Sequence, residues 1–204
     1  YFSLKFLFKY EKKNVFTTWF IVYVGIAVAG VTAPAYDKTG FGAATFWFGL
    51  ITFIPLLIVI INRYVKLPSP EPAKPLVGIF AAPMSLCIAA YVQSVNSKNF
   101  TLLMIMFVVA NILYVYSLVA CLRLVKKFYP SFAGFTFPFV ISAIAYRQTS
   151  ACLADLGQPL QWLDGIATVE TVLAAGLCIV VLIRLLAFVR NQTLPKARSM
   201  SSLR

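Results

Sequence analysis

Six apolar runs, at 15–35, 43–62, 76–95, 100–121, 132–152 and 163–189, leave this chain only one kind of surroundings in which to fold. Each approaches or exceeds the roughly 20 residues that a helix rising about 1.5 Å per residue needs to cross a hydrocarbon core. No water competes for backbone hydrogen bonds in lipid, so runs of this length must be helices; a strand barrel would show short alternating segments instead. The chain is 61% hydrophobic and only 12% charged, too little charge to cover a soluble domain of 204 residues. The expected fold class is an all-α, multi-pass membrane protein forming a single transmembrane domain over residues 1–204.

A net charge of +12 would suggest nucleic acid in a soluble protein, but the placement of the charge argues for topology instead. Of the 18 Lys and Arg residues, all but Lys38, Lys98 and Arg147 lie before the first run, between the second and third, between the fourth and fifth, or towards and beyond the end of the last. The positive-inside rule then puts both ends of the chain in the cytoplasm of a cell membrane, with the bilayer as partner and no role for nucleic acid. Short loops pair the helices into three antiparallel hairpins. The one longer inner loop, 63–75, holds Pro68, Pro70, Pro72 and Pro75 and reads as an extended linker, and 191–204 reads as a polar cytoplasmic tail. The first thirteen residues, YFSLKFLFKYEKK, read as an amphipathic cytoplasmic segment or the tail of an earlier element, and the chain is expected to be N-terminally incomplete.

Histidine is absent, which removes the commonest metal ligand and the usual proton shuttle, and the four cysteines show no CxxC spacing. Neither a metal, a cofactor nor an enzyme active site is expected. No phosphate-cradling loop of the P-loop type occurs.

The third and fifth runs resemble each other. GIFAAPMSLCIAAY (from Gly78) and GFTFPFVISAIAY (from Gly134) each place glycine near the inner end, then proline, then tyrosine eight positions later, as Pro83 with Tyr91 and Pro138 with Tyr146. The first run lacks the proline but has Gly25 and Gly30 in the corresponding region. Proline inside a helix frees the carbonyl four residues back, here those of Ile79 and Gly134, and such kinks survive in a membrane where they face protein or water. The first helices of the three hairpins are therefore expected to line something, and the second helices to wrap them. Packing alone is the competing reason for Pro and Gly, and Pro55 in the second run complicates the pattern. Freed carbonyls would repel anions, so any anion path would rely on a positive field and on hydroxyls, with Ser85, Thr136 and Ser142 as candidates.

Glu170 is the one carboxylate well inside a predicted span. It could couple transport to protons, or it could snorkel or pair with Arg147. Arg147, at the outer end of the fifth helix, could draw anions to a mouth or anchor the helix at the interface. Phe135 and Phe137 flank Thr136 just before Pro138, where a ring on a kinked helix can plug a narrow passage.

WFIVYVGIAVAGVTAP (19–34), KPLVGIFAAPMSLCIAAY (74–91) and PSFAGFTFPFVISAIA (130–145) resemble the tellurite-resistance/C4-dicarboxylate transporter family, which includes TehA-like proteins and plant slow anion channels. The resemblance implies helical hairpins around a central pore, with first helices lining it and a phenylalanine of the ninth helix closing it. It assigns this chain helices five to ten of a ten-helix fold, makes Phe137 the gate with Phe135 as alternative, and implies an anionic small-molecule substrate, inorganic or C4-dicarboxylate, and a possible homotrimer. The expected function is anion transport through this gated pore. The alternatives are a proton-coupled dicarboxylate, sulfite or tellurite exporter using Glu170, and a non-transporting membrane scaffold.

Overall fold

A backbone surrounded by hydrocarbon must close its own hydrogen bonds, and here it does so as helix. The computed structural model describes residues 11–193, and among them there is no strand. After the 3-10 turn Lys12–Asn14 come α1 (Trp19–Tyr36), α2 (Thr39–Lys66), α3 (Glu71–Ser94), α4 (Phe100–Leu124), α5 (Thr136–Asp155, entered through the 3-10 turn Pro130–Phe135) and α6 (Trp162–Thr193). The expectations for the amphipathic start and the polar tail, with Lys5, Lys9, Lys196, Arg198 and Arg204, fall largely or wholly outside the described residues. The α1–α2 hairpin turns on Asp37 and Lys38, with Asp37 left-handed at φ 55°, a conformation short polar side chains tolerate. Asn99 caps α4 by accepting from the Leu102 amide at 2.9 Å.

Five of these helices are long and apolar enough to cross a membrane; α5 is not among them. Its second half carries Arg147, Gln148, Thr149, Ser150 and Asp155, which lower its hydropathy; of these Thr149 is buried, while Arg147 and Asp155 are exposed.

The helices form two rows. α3 is central and packs on α1, α2, α4 and α5, while α6 packs on α5 and the turn before it. The inner row is α1, α3 and α5, and the outer row is α2, α4 and α6. Burial singles out the central helix and the last one: 89% of the apolar window of α3 is buried and 11% of that of α6, with α1, α2 and α4 alike between them.

The rows also differ in backbone. α2, α4 and α6 run as unbroken α-helices of 28, 25 and 32 residues, α2 even through Pro55. α1 alternates Trp19–Tyr23 and Val28–Thr32 as α-helix with Val24–Ala27 and Ala33–Tyr36 as 3-10. α3 is 3-10 over Glu71–Ala81 and α-helical over Ala82–Ser94, a 3-10 stretch well beyond the usual three or four residues. This corrects the expected mid-helix proline kink. Pro83 and Pro138 sit in the first turn of an α-helical segment, where an N–H would lack an intrahelical partner anyway. The irregularity precedes each proline as a 3-10 segment.

Those segments leave carbonyls to be met from elsewhere. Along α3, Ser131 donates to the Pro72 carbonyl, Thr17 to Leu76 at 2.6 Å, Ser117 to Val77 at 3.4 Å, and both Ser85 and Ser142 to Ala81 at 2.9 and 3.3 Å. Such side-chain bonds make irregular backbone tolerable away from water.

Small residues let α1, α2 and α3 approach. A Cβ on Gly30 would lie 2.8 Å from that of Ala90, and one on Gly42 would lie 2.7 Å from those of Ala33 and Ser94. Ser94 donates to the Gly30 carbonyl in the same cluster. Gly30 is thus a packing position between helices and not the groove-facing kink expected of it.

Candidate functional site

The three inner helices enclose a groove of about 430 Å³, with α1 and α5 as its sides and α3 as its floor. α1 contributes Ile21, Val24, Gly25 and Val28. α3 contributes Ile79, Ala82, Pro83 and Leu86, the 3-10 turn before α5 contributes Gly134, and the first turn of α5 contributes Phe137 and Pro138. Every lining residue is apolar. Each wall reaches the groove at or near its change between 3-10 and α geometry: Gly25 within Val24–Ala27, Pro83 just after Ala81, and Phe137 just after Phe135. Gly25 leaves real space there, since the nearest atom to a Cβ on it would be Cγ2 of Ile21 at 3.9 Å.

The two candidate phenylalanines separate cleanly. Phe137 is 50% exposed and lines the groove. Phe135 is fully buried, between the rings of Phe132 and Phe139 at 5.5 and 6.0 Å and over Gly78, where a Cβ would come 2.7 Å from its Cγ. Phe135 therefore joins the third hairpin to the second and does not reach the groove.

The hydroxyl candidates are also redirected. Ser85 and Ser142 face each other at 3.0 Å on the far side of α3 and α5 and share the Ala81 carbonyl. Thr136 donates to the Ala133 carbonyl at 2.8 Å. None of the three lines the groove. A hydroxyl in an apolar helix reads alike whether it serves a lumen or a neighbouring carbonyl, and only the packing tells them apart.

Arg147 is exposed, with its Nε and one terminal nitrogen 3.5 and 3.4 Å from the Thr171 hydroxyl. The ion pair of Arg147 with Glu170, one of the roles open to that carboxylate, does not form. Glu170 is instead only 4% exposed, and its Oε2 has no hydrogen-bond partner. It lies within electrostatic reach of Tyr114 and Tyr146. These two rings, with Ser85, Asn111 and Ser142, wall a void of about 10 Å³, near the room one water needs. Tyr146 donates to Asn111 there, and the Tyr114 hydroxyl is buried without a partner. This polar cluster is separate from the groove.

Gly78 and Thr17 escaped sequence reasoning as functional supports. Gly78 was visible as a repeated glycine, but its partner ring lies more than fifty positions away. Arg63 likewise read only as a topology charge. It is 2% exposed, donates to the Leu67 carbonyl and to Ser69 at 2.7 Å, and stacks over Phe16 and Tyr64. Among the described residues no cluster of His, Cys, Asp or Glu could hold a metal.

No curated protein and no solved structure matches the chain. A family model does, that of the voltage-dependent anion channel, over residues 1–187. That match takes in all three hairpins and every residue lining the groove, and the chain accordingly belongs to the voltage-dependent anion channel family of multi-pass membrane proteins, which transport anions across membranes.

Proposed function

We propose that anions cross the membrane along the groove between α1, α3 and α5, and that the Phe137 ring is its gate. The observation that carries this reading is the position of Phe137. Among the aromatic side chains of α5 it is the one half-exposed in the groove, opposite Gly25 and beside Pro83 and Pro138, the small or rigid groups that leave a ring room to move. A wholly apolar wall offers no group to replace an anion's hydration shell. Passage should therefore favour weakly hydrated anions, drawn by the positive field of the chain. The excess of Lys and Arg on alternate loops supports a cell-membrane location with both ends cytoplasmic.

The test is anion current through the intact protein. Phe137→Ala should raise it about 10-fold, the effect of taking about 1.4 kcal/mol from a barrier. An unchanged current in correctly inserted protein would remove Phe137 from this role, and no current in any variant would favour the scaffold reading.

A buried carboxyl with an unpartnered oxygen supports a second reading, proton-coupled export through Glu170. Flux that depends on a pH gradient and is abolished in Glu170→Gln would favour it. Glu170 lies within electrostatic reach of Tyr114 and Tyr146 and does not line the groove, which makes the channel reading the stronger.

A further inference from the structure

A second groove, of about 490 Å³, lies on the opposite side of α3, between the outer helices α2 and α4 at the end of the bundle that carries the basic loops. Tyr64 and Tyr116 line it, and the buried Phe80 ring, outside the lining, holds both edge-on, at 5.6 and 5.5 Å. One wall is apolar and open to the bilayer, with Val115, Tyr116 and Val119 of α4 exposed. The other end is polar and basic, with Ser69, Lys74 and Arg123.

The charges at that end do not cancel. Lys74 pairs with Glu71, and Lys127 also lies within electrostatic reach of that carboxylate. Arg123 is exposed and has no acidic partner among the described residues. Ser69 accepts from the buried Arg63 guanidinium at 2.7 Å, so its own O–H remains free to donate towards the groove. One end thus offers two cations and a hydroxyl donor, while the adjoining wall offers apolar surface facing lipid tails.

We propose that this groove binds the headgroup of an anionic phospholipid, with the phosphate on Lys74, Arg123 and Ser69 and an acyl chain along Val115 and Val119. A soluble phosphate could use the cations but would leave the apolar wall unused. A zwitterionic lipid carries its own ammonium, which these cations would repel. Basic grooves between membrane helices next to a charged leaflet suit anionic headgroups for these reasons.

The experiment is thermal unfolding of the purified chain in neutral detergent with dioctanoyl phosphatidylglycerol, dioctanoyl phosphatidylcholine or inorganic phosphate. Phosphatidylglycerol should raise the midpoint, and the other two should not at equal concentration. Lys74→Gln with Arg123→Gln should raise the half-saturating phosphatidylglycerol concentration about 30-fold, two basic side chains at about 1 kcal/mol each. Lys126→Gln, exposed and outside the groove, should leave it unchanged. Val119→Trp fills the apolar wall without changing charge and should also abolish the response, which keeps the test decisive if the double variant does not fold. Equal shifts with phosphatidylcholine, an undiminished response in the double variant or in Val119→Trp, or a shift with inorganic phosphate alone would overturn the assignment.

Discussion

The inner and outer helices of this bundle solve the same problem in opposite ways. α2, α4 and α6 face the bilayer, where a free carbonyl has nothing to bond, and they are unbroken α-helices. α1, α3 and the entry to α5 face protein and the groove, and each departs into 3-10 geometry. The carbonyls of the long 3-10 stretch are met by hydroxyls of Thr17, Ser117, Ser131 and Ser142 from other elements. Irregular backbone at membrane depth is therefore concentrated where side chains from neighbours can complete it, and that is also where the groove forms.

Substitutions matched across the two rows can break this contrast. The largest effect is expected at Phe135, whose ring is fully enclosed by Phe132, Phe139 and Gly78. Phe135→Ala should cost about 3–5 kcal/mol in reversible unfolding, the usual range for emptying a buried aromatic site. Phe137→Ala, two residues on in the first turn of α5 but half-exposed, should cost much less while changing current. Equal stability losses would mean that both rings are structural.

Next come the glycines. Gly42→Val in the α1–α2–α3 cluster would drive side-chain atoms into Ala33 and Ser94 and should cost about 1–3 kcal/mol. Gly176→Leu in α6, where nothing lies within 4 Å of a Cβ, should stay within about 0.5 kcal/mol. Comparable losses at the two sites, by the same unfolding assay, would show that α6 is covered as closely as the inner row. A smaller loss than at Gly42 is expected at Ser142. Ser142→Ala removes one donor from the Ala81 carbonyl and should lower stability by about 1 kcal/mol, with anion current unchanged. A change in current with stability intact would return Ser142 to the lumen.

Much of the architecture was legible in the chain itself. Length and apolarity announced membrane helices, short loops announced hairpins, and the Gly and Pro of the first helix of each hairpin marked α1, α3 and α5 as the helices expected to line a common space. The site was legible only in part. Pro83, Pro138, Gly25 and Phe137 meet in the groove, while Gly30, Phe135, Ser85, Thr136 and Ser142 turn to neighbours instead. Every one of these residue types serves a lumen or a helix contact equally well, and their spacing along one helix does not say which face a second helix will take.

The division has a physical cause. Sequence by itself determined what solvent the chain requires, because transfer into hydrocarbon depends on the sum of side chains over a segment and on little else. Tertiary structure alone decided which phenylalanine is free, which hydroxyls are spent on the Ala81 carbonyl, and that Glu170 is buried within electrostatic reach of two tyrosines. Those outcomes rest on contacts between helices that are far apart in the chain, such as Gly78 beneath the Phe135 ring, and no local run of residues carries them.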